Sequence, residues 1–416
     1  MKLFLFLLCF STAAMAQLQN NKVFKVQGAK VITKLTTSNY VATHDLLYYI
    51  PKSVDLKKPT TIVFYLHGGN SNMTQERATD TADTIFWGTA DGPLSRKDGI
   101  RPIADKLGFI VVMPTTTKGW NDQTPYYLRD VLKIVRAELN PHPEKIFLAG
   151  HSMGAMGITR ALNRLADEFA MFLPISGGFQ PHMKSLDQVG PFFNTKVWVT
   201  VGQVDFENFK LWNEAFEVFI KDKHVSDYFK ASALADWTYE LHPESHNPNI
   251  PLMSERFTKF FSETSRNLYQ PELFGALYSS KGSATYIKDP DQRRYFWMEA
   301  LAFRDLDVNE TGVGINFRLY SKNNKIELMI DRPITMKYDY RPHLKDVRFH
   351  LSEKLFNLDQ PIEVVLLTQR GSLVERSELF KGVVKRNTSA SEEYQKSSGD
   401  RGYKFEAFLD VTLSRN

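Results

Sequence analysis

The feature that most limits the fold is a set of short, almost unbroken apolar runs. TTIVFYL (60–66), GFIVVMP (108–114), KIFLA (145–149), FAMFLPIS (169–176) and KVWVTVG (196–202) are spaced through the first half of the chain. Runs rich in β-branched and aromatic residues, without polar alternation, suit strands covered on both faces, as in a parallel sheet. Helical periods lie between them. Leu128, Val131, Leu132, Val135 and Leu139 recur at helical spacing behind Thr124-Pro125, which reads as N-cap and first helical residue. Strands alternating with helices predict right-handed βαβ units, hence an α/β, doubly wound, mostly parallel sheet. Ahead of it, VFKVQGAKVITKL (23–35) and NYVATHDLLYYIP (39–51) read as an antiparallel pair.

Beyond residue 265 the period changes from helical to strict alternation. Val313, Ile315, Phe317 and Leu319 point one way, as do Val347, Phe349 and Leu351, and Phe405, Ala407, Leu409, Val411 and Leu413. Period two with one polar face predicts antiparallel strands. The polar stretch SSKGSATYIKDPDQ (279–292) reads as a linker. The expected division is a leader at 1–16, an α/β domain at 17–278 and a smaller β-rich domain at 279–416.

MKLFLFLLCFSTAAMA has the form of a cleavable signal peptide: Lys2, an apolar stretch from Leu3 to Phe10, and Ala14-Met15-Ala16 as the small-residue cleavage site. A secreted or periplasmic protein is expected. The single cysteine, Cys9, falls within that leader. The remainder therefore has no disulfide, no thiol nucleophile and no cysteine metal site. A net charge of +5 over 416 residues, not gathered into blocks, gives no nucleic-acid footprint. No later run is apolar enough to span a membrane, and scattered histidines give no metal motif.

KIFLA runs into GHSMG (150–154). A serine between two glycines at the end of a strand is the pattern of a nucleophile elbow, with Ser152 projecting at the C-terminal edge of the sheet. A serine hydroxyl needs a base, and the base needs an orienting acid. With the order serine, acid, histidine, Asp205 falls in the turn after KVWVTVG, and Asp227 is its competitor without a preceding strand. His224, His242 and His246 follow. His224 lies in a charged helix end, His242 closes WTYELH, and His246 lies in an irregular loop ahead of SERFTKFFSE. His246 is the expected base, with His242 as fallback. His151 is expected to point away from the cleft. The oxyanion donors are expected to be the amides of Met153, at a helix N-terminus, and of Gly69 in His67-Gly68-Gly69-Asn70, with Asn70 second.

YLHGGN (65–70), GHSMGAMG (150–157), GQVD (202–205) and PESHNP (243–248) give residues 45–265 a resemblance to the α/β-hydrolase superfamily. Within it the segment is similar to secreted esterases of the polyhydroxybutyrate-depolymerase and feruloyl-esterase type. The resemblance implies a Ser152–Asp205–His246 triad, no cofactor, and an ester-bearing substrate, with polysaccharide decorated with acetyl or feruloyl groups among the candidates. Such esterases usually carry disulfides, which this chain departs from. Prolyl-oligopeptidase-like peptidases share the same elements. A glycan-binding protein that kept the fold without turnover is the reading from another class. The stretch 72–99 after the oxyanion loop is expected to shape the cleft, with Phe86-Trp87 and Trp120 as candidate aromatic walls that core packing would equally explain. Residues 293–413 look like a β module found behind such domains. Packing is its expected role, and Tyr338, Tyr340 and Tyr403 are the candidates for a glycan-binding one.

Overall fold

The computed structural model describes residues 23–36, 43–87, 99–121, 123–179, 193–222, 236–243, 245–246, 250–279, 294–303, 313–331, 344–370 and 373–413. The first half builds one eight-stranded sheet in the order β1-β2-β4-β3-β5-β6-β7-β8. Its strands are β1 (Lys30–Thr36), β2 (Thr43–Tyr49), β3 (Thr60–Leu66), β4 (Ile110–Pro114), β5 (Pro141–His151), β6 (Met171–Ile175), β7 (Lys196–Gly202) and β8 (Trp237–His242). β1, β2 and β4 pair antiparallel, and every pair from β4 through β3 to β8 is parallel. This is the expected doubly wound, mostly parallel sheet behind an antiparallel entry.

Apolar residues along β3 alternate between two buried layers. Ile62, Phe64 and Leu66 join Leu128, Val131, Ile158 and Leu162 from α3 (Thr124–Glu138) and α4 (Met153–Leu165). Val63 and Tyr65 join Phe86, Ile103 and Phe257 from α1 (Gln75–Trp87), α2 (Ile100–Leu107) and α6 (Ile250–Glu263). Covering both faces is what the unbroken apolar runs require. α5 (Glu207–Ile220) adds Phe216 and Ile220 to the first layer. Thr124 is the first residue of α3 rather than its cap, and Pro125 follows it. The entry turn is made by Asn121, whose side chain accepts the Gln123 N–H at 2.8 Å.

Among the described residues the β-rich portion has two sheets. The first is β10-β11-β14-β17, from β10 (Arg294–Tyr295), β11 (Met298–Phe303), β14 (Leu344–Leu351) and β17 (Ala407–Thr412). The second is β16-β15-β13-β12-β9, from β9 (Glu272–Ser279), β12 (Val313–Lys322), β13 (Lys325–Asp331), β15 (Ile362–Arg370) and β16 (Leu373–Gly382). A helix, α7 (Ala390–Ser398), precedes β17. One pair departs from the antiparallel expectation: β13 and β15 are parallel. The chain between them makes β14 in the other sheet and so returns in the same direction. β9 ends at residue 279, where the sequence places the domain division, and it is bonded along its length to β12. The proposed linker lies almost wholly outside the described residues.

The two portions share one apolar core, in which Phe169 and Phe172 belong with Leu273, Phe274 and Tyr295. A buried ionic cluster also crosses between them. Asp400 accepts from Arg266 at 2.7 Å and from Arg136 at 3.3 Å, and Glu168 accepts from Arg136 at 2.7 Å. Charges this buried persist only when paired. α3 buries Arg129 and Arg136 beside its apolar stripe, where both meet Glu168 and Arg136 also meets Asp400.

Candidate active site

β5 ends at His151 and α4 begins at Met153, so Ser152 alone makes the turn. It holds φ 56° and ψ −116°, a conformation L-residues rarely adopt. Strain of this kind costs on the order of 1–3 kcal/mol and persists where the surroundings enforce it. Here the flanking glycines permit it. A Cβ on Gly154 would lie 2.1 Å from the Leu66 carbonyl oxygen, and one on Gly150 would lie 2.9 Å from the Gly154 backbone. The Ser152 N–H donates to Ile175 on β6 at 2.8 Å, which ties the elbow to the neighbouring strand.

Two distant loops bring partners to that hydroxyl. His246, behind β8, places Nε2 2.8 Å from Ser152 Oγ. Its Nδ1 lies 2.8 Å from Oδ1 of Asp205, in the turn between β7 and α5. The carboxylate can only accept, so Nδ1 carries the proton and Nε2 is left to accept from Oγ. The Asp205 side chain is fully buried while that of His246 is 30% exposed. Burial alone would raise the Asp205 carboxyl, but hydrogen bonds from His246 and from the Phe206 N–H (2.6 Å) outweigh it and hold it below its ordinary value. The His246 ring packs among His151, Phe206 and Phe209, with centroids 4.9, 4.9 and 5.6 Å away.

The loop after β3 passes close to the elbow: a Cβ on Gly68 would lie 3.2 Å from that of Ser152. Gly69 has φ +114°, open to glycine, and both Gly69 and Asn70 are exposed. Met153 opens α4, and the N–H groups of a first helical turn have no partner within the helix. His67 anchors the loop from beneath. Its Nδ1 donates to the Gly68 carbonyl at 2.7 Å, its Nε2 accepts the Thr116 N–H at 3.0 Å, and its own carbonyl accepts Trp120 Nε1–H at 2.9 Å. Burial lowers His67 to about 4, so the ring is neutral. Among the described residues no group of three or more His, Cys, Asp or Glu side chains is placed to hold a metal.

A parallel sheet in this strand order, a strained serine between β5 and α4, and a histidine and an aspartate on later loops meeting that serine decide the architecture. The chain has the α/β-hydrolase fold. No family model matches the sequence. A bifunctional acetylxylan esterase/xylanase of Neocallimastix patriciarum is 26% identical over 217 residues, 51% of this chain. The chain spans only 28% of the length of that relative. Among solved structures, a thermostable esterase aligns with a TM-score of 0.42 at 17% identity, over 57% of this chain and 63% of its own. A feruloyl esterase module from Clostridium thermocellum complexed with sinapinate aligns with a TM-score of 0.41 at 19% identity, over 56% of this chain and 86% of its own.

Within the hydrolase fold, several expected site residues fall elsewhere. Trp120 is not a cleft wall: it is 4% exposed, bonded to His67 and stacked near Tyr127. Phe86 is likewise core, against Tyr49. The Trp87 side chain, His224, Asp227, Tyr338 and Tyr340 lie outside the described residues. His242 is buried at the end of β8, where its carbonyl accepts the Gln203 N–H at 2.7 Å. Tyr403 is core among Tyr394, Phe405 and Arg266, not a glycan platform. Most at odds with expectation, His151 turns toward the site and donates from Nε2 to the His246 carbonyl at 3.1 Å. His67 lies in the expected oxyanion loop, but its anchoring role is not visible in the sequence, and Phe206 and Phe209 are further neighbours of the site. For Phe206 a signal exists, since it adjoins Asp205.

Proposed function

We propose that the protein is an exported serine hydrolase that cleaves carboxylic esters, with acetyl or feruloyl groups on plant polysaccharide as its substrate class. The observation that carries this is the unbroken chain from Ser152 Oγ through His246 to Asp205, 2.8 Å at each link. His246 Nε2 takes the serine proton as Oγ bonds to the acyl carbon. The amides of Gly69 and Met153 receive the charge that develops on the carbonyl oxygen. As the tetrahedral adduct collapses, the carbon–alkoxide bond breaks and Nε2–H protonates the departing alcohol. A water then gives its proton to His246 and attacks the acyl-enzyme. The acid leaves and the proton returns to Ser152. Asp205 keeps the imidazole in the required tautomer throughout. The similarity to an acetylxylan esterase/xylanase supports the substrate class, and the leader-like residues 1–16 support export.

Hydrolysis of p-nitrophenyl acetate by wild type and by Ser152→Ala tests the chemistry. Activity in the first and its loss in the second is the expected result, and two equally inert proteins sink it. Acetylated xylan, methyl ferulate and proline-containing aminoacyl-nitroanilides then sort the substrate. Turnover of the anilides alone would replace the esterase reading with a peptidase.

A further inference from the structure

We propose that Phe206 is the platform on which the alcohol component of the substrate, a sugar ring, stacks during hydrolysis; this rests on the esterase reading above. Phe206 is 63% exposed, unusual for a phenyl ring among the described residues, and Val204, two residues earlier, is 70% exposed. Its backbone is fixed, because its N–H donates to Asp205 Oδ1 at 2.6 Å and it opens α5 as the residue before Glu207. Its ring is braced edge-on by Phe209, centroids 5.6 Å apart. The ring therefore presents an exposed apolar face beside the imidazole, on a fixed backbone that lowers the ordering cost when substrate arrives.

The chemistry says which half of the ester meets that face. The departing oxygen must come within hydrogen-bond reach of His246 Nε2 to be protonated. The carbonyl oxygen must instead point to the amides of the loop after β3 and of the elbow. The alcohol half is therefore the half that lies across the imidazole, and the Phe206 centroid is 4.9 Å from the imidazole centroid. A pyranose ring has a C–H face that covers an aromatic ring well, whereas a one- or two-carbon alcohol covers little of it. Phe206 thus discriminates by the alcohol and not by the acyl group.

The test compares two acetyl esters, ethyl acetate and an acetylated xylo-oligosaccharide, on the full chain as wild type, Phe206→Ala and Phe206→Trp. In Phe206→Ala the ratio of kcat/KM for the sugar ester to that for ethyl acetate falls about tenfold, roughly what uncovering part of a phenyl ring costs. The change sits in KM for the sugar ester, Phe206→Trp restores it, and the acid limb of the pH profile does not move. Equal fractional losses on both esters, or a displaced acid limb, would mean that Phe206 only steadies His246, and the proposal falls. A wild type that cleaves ethyl acetate but not the sugar ester also overturns it while leaving the hydrolase reading intact. A wild type inert on both overturns that reading first.

Discussion

The imidazole of His151 lies against that of His246, ring centroids 4.9 Å apart, and its Nε2–H reaches the His246 carbonyl at 3.1 Å. The residue that leaves β5 just before Ser152 therefore props the loop that carries the base. Burial and the neighbouring imidazole hold His151 down to about 4, so it adds no charge beside His246 at neutral pH. Removing it frees the loop. His151→Ala is expected to lower kcat/KM on p-nitrophenyl acetate about tenfold, the worth of one hydrogen bond and its packing. His151→Gln, which can still donate, is expected to keep more of the activity. Steady-state kinetics of the two variants check this, and full activity in His151→Ala removes the residue from the site's architecture.

Asp205 is buried, its carboxyl held low by His246 and by the Phe206 N–H despite desolvation. Asparagine at this position would offer a donor to Nδ1 and favour the tautomer in which Nε2 cannot accept from Ser152. Asp205→Asn is expected to lower kcat at pH 7 by about 10³–10⁴-fold with little change in fold. Stopped-flow and steady-state rates measure it. A loss smaller than tenfold would place a different carboxylate behind the base.

His67 gives a pH dependence of stability with a definite sign. Its folded pKa, about 4, lies below the ordinary histidine value of 6.5. Between those values the unfolded chain binds the proton and the folded chain does not, so stability rises with pH across the window and is complete above it. The upper bound is about 3 kcal/mol. Asp167, pushed up to about 7 chiefly by burial and then by Glu168, acts with the opposite sign over the same range. The informative quantity is therefore the difference between proteins. Urea denaturation at pH 7, 5.5 and 4.5 is expected to show a shallower acid loss in His67→Gln than in wild type. Parallel curves would refute the assignment.

Asp400 joins the β-rich portion to the α/β portion through Arg266 and Arg136, all three side chains at most 5% exposed. Asp400→Ala leaves the buried guanidinium groups of Arg266 and Arg136 to share Glu168 with that of Arg129. It is expected to destabilise the protein by about 3–5 kcal/mol, because unpaired buried charge is what such a deletion creates. Pairing it with Arg266→Met is expected to recover part of the loss. Equilibrium unfolding of the single and double variants checks both statements.

Features set by local sequence are legible in this chain, and those set by packing are not. The five apolar runs are strands because a continuous apolar segment has no solvent face to offer. Gly150 and Gly154 flank Ser152 because the contacts that exclude a Cβ lie one turn or one strand away. The loop position of His246 ahead of α6 was legible for the same reason. Trp120, Phe86 and Tyr403 look alike in sequence whether they line a cleft or fill a core, and all three fill the core.

By itself the sequence determined the elements, their order and the positions where a serine, an aspartate and a histidine meet the edge of a sheet. Apolar period and turn sterics act over a few residues, so they can be seen in a linear string. Only the tertiary structure decided that His151 faces His246, that Phe206 stands exposed beside it, and that β9 joins the second half of the chain. Those outcomes rest on contacts between residues tens of positions apart. The arrangement of strands and loops sets such distances, and no local pattern encodes them.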